Sequence, residues 1–371
     1  MKLELLVNPH IRDLDPYVPG KPIEEVEREL GITGSVKLAS NENPLGPSPK
    51  ALEAVRSALD SVHRYPDGAC FALRARLAER LGVGGNQLVF GCGGDEVLEL
   101  VCKTFLAPGD EVVMPWPSFA MYPIVARGMG GVPVRVPLDA EFAHDLPAIA
   151  AAVTDRTKLV FVCNPNNPTG TSFGRDAFAD FVARLREDVV LVIDEAYFEF
   201  VRRADFPDSL ALLGARPATL VLRTFSKIYG LAGLRIGYGV GSAELIGYLE
   251  RARHPFNVNR LAEAAALAAL DDEEHPRRTR EMNAAGIEYL SRALPALGVR
   301  VWPTDANFLL AEAGPGAVDA LLREGVIVRP MRGFGLPDHI RISIGTPEEN
   351  ERLVKALQRI RSRRSDAGGP T

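Results

Sequence analysis

Four short stretches carry side chains whose types and spacing suit covalent and acid–base chemistry. Residues 220–240, LVLRTFSKIYGLAGLRIGYGV, gather Thr224, Ser226, Lys227 and Arg235 where the strand-like run Leu220–Leu222 ends. A lysine placed there is partly desolvated and lies beside another cation. Both effects favour the neutral amine and bring its pKa toward that of a nucleophile. The hydroxyls and the guanidinium suit a phosphate. A Ser-x-x-Lys hydrolase reading fails, because position 224 is threonine and no SDN or KTG partner occurs.

The other three stretches also follow strand-like runs. DEAYFEF puts Asp194 where Val189–Ile193 leaves the core, with Tyr197 three residues on. A carboxylate there is costly to bury unless it meets a cation, although an ordinary helix N-cap aspartate fits the same letters. CNPNNPTG follows Leu159–Cys163; its X-Pro bonds hold asparagine amides, Asn167 among them, away from the core, which favours a site over a plain loop. GCGGDE follows Leu88–Phe90, and its glycines allow a tight turn before a helix starts at Gly94 and Asp95. Free N–H groups and the helix dipole make such a start an anion site, but a purely structural turn is equally compatible.

Pyridoxal 5′-phosphate (PLP) satisfies all four stretches at once. Its phosphate suits the glycine-turn helix, Ser226 and Arg235; its aldehyde suits Lys227; and its protonated ring nitrogen suits Asp194. Its phenolic oxygen suits Asn167 and Tyr197, and Phe119 in PWPSFAMY is placed to stack on the ring.

These stretches require a scaffold that brings strand ends together. Apolar runs at Leu88–Phe90, Glu111–Met114, Val132–Val136, Leu159–Cys163, Val189–Ile193, Leu220–Leu222 and Leu234–Val240 alternate with helix-period segments such as Asp95–Phe105 and Arg175–Arg186. Strands apolar on both faces and separated by helices indicate an α/β domain with a mostly parallel seven-stranded sheet sandwiched by helices, over residues 45–285. Such sheets bind ligands at the carboxyl ends of their strands. After a helical stretch near 258–293, shorter runs at Val299–Val301, Phe308–Ala311, Val326–Val328 and His339–Ile344 form an α+β pattern with helices at Ala317–Glu324 and Thr346–Ile360. Residues 286–360 are therefore assigned to a smaller C-terminal domain. Residues 1–44 form an N-terminal arm packing on that domain or a partner subunit, and 361–371 a disordered tail.

Composition narrows the function classes. The chain has 371 residues, 46% hydrophobic and 25% charged, with net charge −5, so nucleic acid or an anionic membrane is an unsuited partner. MKLELLVNPHIRDLD, with Glu4 inside a very short apolar run, is neither a signal peptide nor a spanning helix. Cys70, Cys92, Cys102 and Cys163 show no CxxC spacing and read as thiols of a reducing cytoplasm; with six unclustered histidines and no HExxH, no metal site is expected.

In this order, CNPNNPTG, DEAY and RTFSKIYGLAGLRIG resemble the fold-type-I PLP aminotransferases of the class I/II group. More narrowly, LASNENPLGPSP, RYPDG, GCGGDE, PWPSFAMY, ANFLL and IRISIGTPEEN resemble the histidinol-phosphate aminotransferase family, a similarity running from about Pro16 to Asn350. The resemblance implies that Lys227 binds the cofactor's aldehyde and moves protons, with Asp194 and Tyr197 as catalytic partners. It implies Gly93, Gly94, Asp95, Thr224, Ser226 and Arg235 around the phosphate, and Tyr65 reaching the phosphate of the neighbouring subunit's cofactor in a homodimer with shared sites. Phe119 stands where many relatives have tyrosine, and stacking needs only the ring. Tyr17, Asn43, Asn167, Arg329 and Arg341 are implied substrate contacts, Arg341 for the carboxylate of glutamate or 2-oxoglutarate, Tyr17 and Arg329 for a phosphate. The activity implied is transfer of an amino group from L-histidinol phosphate to 2-oxoglutarate. An aromatic amino acid as donor, the related threonine-phosphate decarboxylase reaction, and a PLP-binding regulator remain the alternatives. The absence of a fused helix-turn-helix segment counts against the last.

Overall fold

The computed structural model describes residues 2–17 and 19–366. Its first strand, β1 (Val36–Leu38), joins a sheet completed only by the C-terminal third of the chain. The next seven are β2 (Leu88–Gly91), β3 (Glu111–Trp116), β4 (Val132–Pro137), β5 (Thr157–Cys163), β6 (Val190–Asp194), β7 (Thr219–Thr224) and β8 (Gly237–Gly241). They form one sheet in the order β2-β8-β7-β6-β5-β3-β4, parallel except for β8, which runs antiparallel to both neighbours.

Both faces of this sheet are covered, as its continuous apolar runs require. Alternate residues of one strand enter opposite cores. Phe161 packs with Val97, Leu98, Met114 and Tyr122, whereas Val160 and Val162 pack with Phe178, Phe181 and Ile193. The helix Gly94–Phe105 buries Val97, Leu98, Val101 and Cys102 along one stripe, close to the expected Asp95–Phe105. The expected helix Arg175–Arg186 ends at Arg184.

The smaller sheet contains β9 (Arg300–Val301), β10 (Phe308–Glu312), β11 (Val326–Pro330) and β12 (His339–Ser343), in the order β1-β11-β12-β10-β9. The arm thus contributes a strand, β1, which pairs parallel to β11 from Val36↔Val326 to Leu38↔Val328. The helix Glu274–Ala296 crosses position 285 unbroken. It contributes Leu290 and Leu294 to the small-sheet core, while Thr279 and Asn283 face the large unit.

Two local expectations are corrected. The run Leu234–Val240 is not one strand: a short 3-10 turn at Ala232–Leu234 precedes β8, which begins at Gly237. The tail is helical further than expected, because the helix from Pro347 continues to Asp366. Arg359 and Arg363 both reach Glu324, at 2.7 and 2.8 Å, and tie that last stretch to the body. Residues 367–371 of the expected tail lie outside the described residues. Among the described residues no helix is long and apolar enough to cross a membrane, and no three metal-ligating side chains cluster.

Candidate active site

Parallel pairing brings the strand ends level: Cys163 lies beside Asp194, and Asp194 beside Leu222. The cavity they border has a volume of about 260 Å³ and takes its other wall from the small sheet and the segment after β1.

Asp194 is the buried anion of this cavity. Its Oδ2 accepts from the Tyr122 hydroxyl at 2.7 Å and its Oδ1 from Ala196 N at 3.0 Å. Burial pushes the carboxyl up from 3.8 to about 6, against the opposing pull of both hydrogen bonds. Both partners are neutral, so the carboxylate still lacks what its burial requires, a cationic nitrogen. Tyr122 escaped the sequence reading. It is fully buried on the helix Met121–Gly128 and stacks on Phe161 at 4.9 Å, which makes it look like core. The usable signal was its hydroxyl, since a buried tyrosine needs a partner for that group.

Lys227 is the third residue after β7. Its Nζ lies 3.4 Å from Ser40 O and 5.6 Å from the centroid of the Tyr197 ring. Burial first, and then the nearby Arg341 guanidinium, lower the amine from 10.5 to about 8, while Glu42 and Asp95 oppose them. Tyr197 Oη accepts from Asn41 Nδ2 at 3.0 Å, and burial pushes the phenol up. Asn41 is a second residue the sequence reading missed, two positions from the asparagine it chose.

The anion end is built on backbone geometry. Gly94 and Asp95 open their helix, whose first N–H groups have no partners within it. Arg235 stands beside them with φ +59°, outside the strand in which it was expected. Its Nη2 donates to Asp95 Oδ2 at 3.1 Å and its Nη1 to Ala232 O at 3.2 Å. Gly93, at φ +79°, lies directly under this guanidinium: a Cβ there would sit 2.3 Å from Arg235 Nη2. Ser226 lines the cavity, and Thr224 Oγ1 accepts from Ser226 N at 3.0 Å.

The opposite wall holds two more cations. Arg341, buried on β12, donates from Nη1 to Asn167 Oδ1 and from Nη2 to Ala39 O, both at 2.6 Å. Its Nε has no hydrogen-bond partner among the described residues. Arg329 lies 5.2 Å from the Tyr17 ring, and both residues line the cavity. Phe119 borders it too, edge-on to Tyr122 at 5.6 Å. Of the asparagines in CNPNNPTG only Asn167 faces the cavity. Asn164 pairs with the backbone of Phe173, and Asn166 with Pro117 O, Ser118 and Thr169.

Two expected residues stand apart. Asn43 does not line the cavity; its amide is buried against Ile228 O and Thr279. Tyr65 is 79% exposed, stacked on Phe256 at 4.8 Å, and borders no part of this chain's own cavity.

The remaining donor set fits the cofactor expected from the sequence. A buried carboxylate awaits a cationic nitrogen, a lysine is poised near neutrality, and a helix start with a serine and an arginine awaits a phosphate. The family model "Aminotransferase class I and II" matches residues 33–357. A curated relative from Pseudomonas fluorescens, histidinol-phosphate aminotransferase 2, is 48% identical over 363 residues, spanning 96% of this chain and 98% of its own. Histidinol-phosphate aminotransferase of Moorella thermoacetica is 49% identical over 354 residues, spanning 94% and 92%. A solved structure of histidinol-phosphate aminotransferase from Sinorhizobium meliloti, in complex with pyridoxal-5′-phosphate, superposes with a TM-score of 0.87 at 31% identity, covering 96% of this chain and 98% of that one. With strand ends, cavity and whole-chain similarity in agreement, the chain belongs to the class I and II aminotransferases.

Proposed function

We propose that this chain is a PLP-dependent transaminase of the cytoplasm that moves the amino group of L-histidinol phosphate to 2-oxoglutarate, a step of histidine biosynthesis. The observation that carries this reading is the division of one cavity into two cationic ends around Lys227 and Asp194. Arg235 stands at one end for the cofactor's phosphate, while Arg341 and Arg329 line the other and suit the anionic groups of two alternating substrates. Planar guanidinium forks suit a phosphate monoester and a carboxylate equally well. Relatives 48% and 49% identical over nearly the whole chain carry the histidinol-phosphate aminotransferase name, which supports histidinol phosphate as the amino donor.

When bound, PLP supplies an electron-withdrawing ring that stabilises negative charge at the substrate carbon bearing the nitrogen. Asp194, kept in place by Tyr122 and Ala196, would hold the ring nitrogen protonated. Gly93, Gly94, Asp95, Thr224, Ser226 and Arg235 would hold the phosphate, Asn167 and Tyr197 the ring oxygen, and Phe119 the ring face. Lys227 Nζ, neutral above about pH 8, is the group able to take a proton from the substrate carbon and return one. Arg341 would bind the carboxylate of the dicarboxylate partner, with Tyr17 and Arg329 at the phosphate of the donor.

We also propose a homodimer with shared sites. Tyr65, Phe71 and Val62 are exposed by 79%, 73% and 58%, and Tyr65 is free of its own cavity to serve a second subunit's. Mixing Tyr65→Phe with Lys227→Ala subunits checks this: hybrid activity without cross-subunit dependence removes Tyr65 from the site.

The substrate reading is tested by comparing kcat/KM for histidinol phosphate, phenylalanine and tyrosine with 2-oxoglutarate as acceptor. Histidinol phosphate is expected to lead; an aromatic amino acid in front would overturn the assignment. Borohydride reduction should fix the cofactor on the Lys227 peptide and leave Lys227→Ala unlabelled.

A further inference from the structure

The backbone that presents Lys227 is held from behind by a polar cluster outside the cavity. Asn43 Nδ2 donates to Ile228 O, the carbonyl that follows Lys227, at 2.9 Å, and to Thr279 Oγ1 at 3.0 Å. His275 Nε2 lies 3.3 Å from the same nitrogen. Asn43 Oδ1 accepts from Leu45 N at 3.0 Å. A carbonyl on one side and an N–H on the other leave the amide a single orientation. Asn43, His275 and Thr279 are all buried. The last two belong to the helix Glu274–Ala296, whose start is pinned by Asp272: its carboxylate accepts from His275 N at 3.1 Å and from Ser48 Oγ at 2.5 Å.

Two further contacts press the same segments together. Gly230, at φ +70°, lies so close to Gly46 that a Cβ on it would stand 2.2 Å from Gly46 O. Lys227 Nζ itself reaches Ser40 O. The turn 40–47 is thus a shelf under the loop 227–230, and Asn43 is its one side-chain tie to that loop's backbone carbonyl.

We propose that Asn43 is a positioning residue for Lys227: by clamping Ile228 O to Thr279, it fixes the backbone from which the lysine is aimed. The proposal rests on the reading of Lys227 as the reacting amine. It replaces the substrate-contact role expected for Asn43.

The test uses Asn43→Ala, which removes the tie, and Asn43→Asp, which keeps its size and the Leu45 bond but sets oxygen against Ile228 O. In the fully loaded enzyme, with 2-oxoglutarate and its best amino donor, both variants should lower kcat about tenfold, with KM for each substrate within about twofold of wild type. A second readout needs no cofactor: competitive acetylation of the stripped protein across pH, quantified on the Lys227 peptide. Slack in the loop lets Nζ reach solvent, so its labelling midpoint should move to higher pH in both variants. A raised KM at unchanged kcat would return Asn43 to the substrate. An Asn43→Asp enzyme with wild-type kcat and midpoint would show that the Ile228 bond does nothing. If Asn43→Ala fails to fold by thermal melting, Thr279→Val carries the test, with kcat expected to fall about threefold and the midpoint to move the same way; wild-type values there overturn the proposal. Lys227→Ala runs alongside. Activity retained in it would fail the reading of Lys227, whereas a dead Lys227→Ala beside unaltered Asn43 variants fails this proposal alone.

Discussion

Replacing Asp194 by asparagine should make the cofactor-free protein more stable and the enzyme inactive. Holding this carboxylate charged where its pKa has moved from 3.8 to about 6 costs about 3 kcal/mol relative to the unfolded chain near neutral pH. The group is 4% exposed, so solvent screening does not reduce that figure much. Asparagine removes the charge, and its oxygen can accept from Ala196 N while its amide donates to the Tyr122 hydroxyl, so both contacts persist as neutral bonds. Exchanging two bonds to a carboxylate for weaker neutral ones costs about 1–2 kcal/mol. The net gain is then about 1–2 kcal/mol, a rise in Tm of about 1–3 °C for a chain of this length. The sign follows from the raised folded-state pKa. The favourable contribution of protonated Asp194 is complete below 3.8 and is lost as pH rises through about 6. The variant's advantage should therefore be full at about pH 7.5 and gone at about pH 4. Thermal melts of stripped wild type and Asp194→Asn at both pH values provide the assay. Adding PLP should raise the wild-type Tm more than the variant's. A variant no more stable at about pH 7.5, or equally advantaged at about pH 4, refutes the reasoning.

In the stripped enzyme, the rate of acetylation at Lys227 should be half-maximal near pH 8, where the amine loses its proton, while surface lysines reach half-maximum above pH 10. A Lys227 midpoint with the surface lysines would mean that burial and Arg341 do not act on it. Arg341→Gln should raise KM for 2-oxoglutarate about 10- to 100-fold and leave cofactor loading intact, since the lost interaction is a charge-assisted one; unchanged KM removes Arg341 from the carboxylate site. Gly93→Ala should weaken PLP binding about tenfold or more, because the new methyl group displaces Arg235 and strains a backbone at φ +79°. Equilibrium dialysis of the cofactor reads this directly, and wild-type affinity would contradict the packing.

The parts of the site legible in the sequence are those dictated by a strand's end. Lys227, Asp194 and Asn167 each follow a continuous apolar run, and such runs, alternating with helix-period segments, read as central strands of a covered sheet whose ends meet at one edge. What could not be read depends on contacts distant in sequence. Arg235 looked like strand because LRIGYGV alternates as a strand does, yet it stands at φ +59° with its guanidinium against Asp95 and Gly93 of another element. Asn41 and Asn43 share one short motif and look interchangeable. The chain turns between them, sending Asn41 to Tyr197 and Asn43 behind the lysine loop. Tyr122 sits on an apolar helix where a tyrosine reads as core, and only the approach of Asp194 gives its hydroxyl a purpose. The run of basic residues near the C-terminus looked unstructured because its counterion, Glu324, lies far back in the chain.

The short bond from Arg341 to Asn167 has one more consequence. An amide has a donor end and an acceptor end, and rotation by half a turn exchanges them at almost no cost in shape. Arg341 carries only donors, so its grip on Oδ1 removes that ambiguity and leaves Asn167 nothing but N–H groups to offer elsewhere. The arginine therefore acts as a polarity key: it decides which end of a neighbouring amide is on offer. On the role proposed for Arg341, an incoming carboxylate that draws it away would turn the key as well, and the hydrogen bonding of Asn167 would then follow whether that anion is bound.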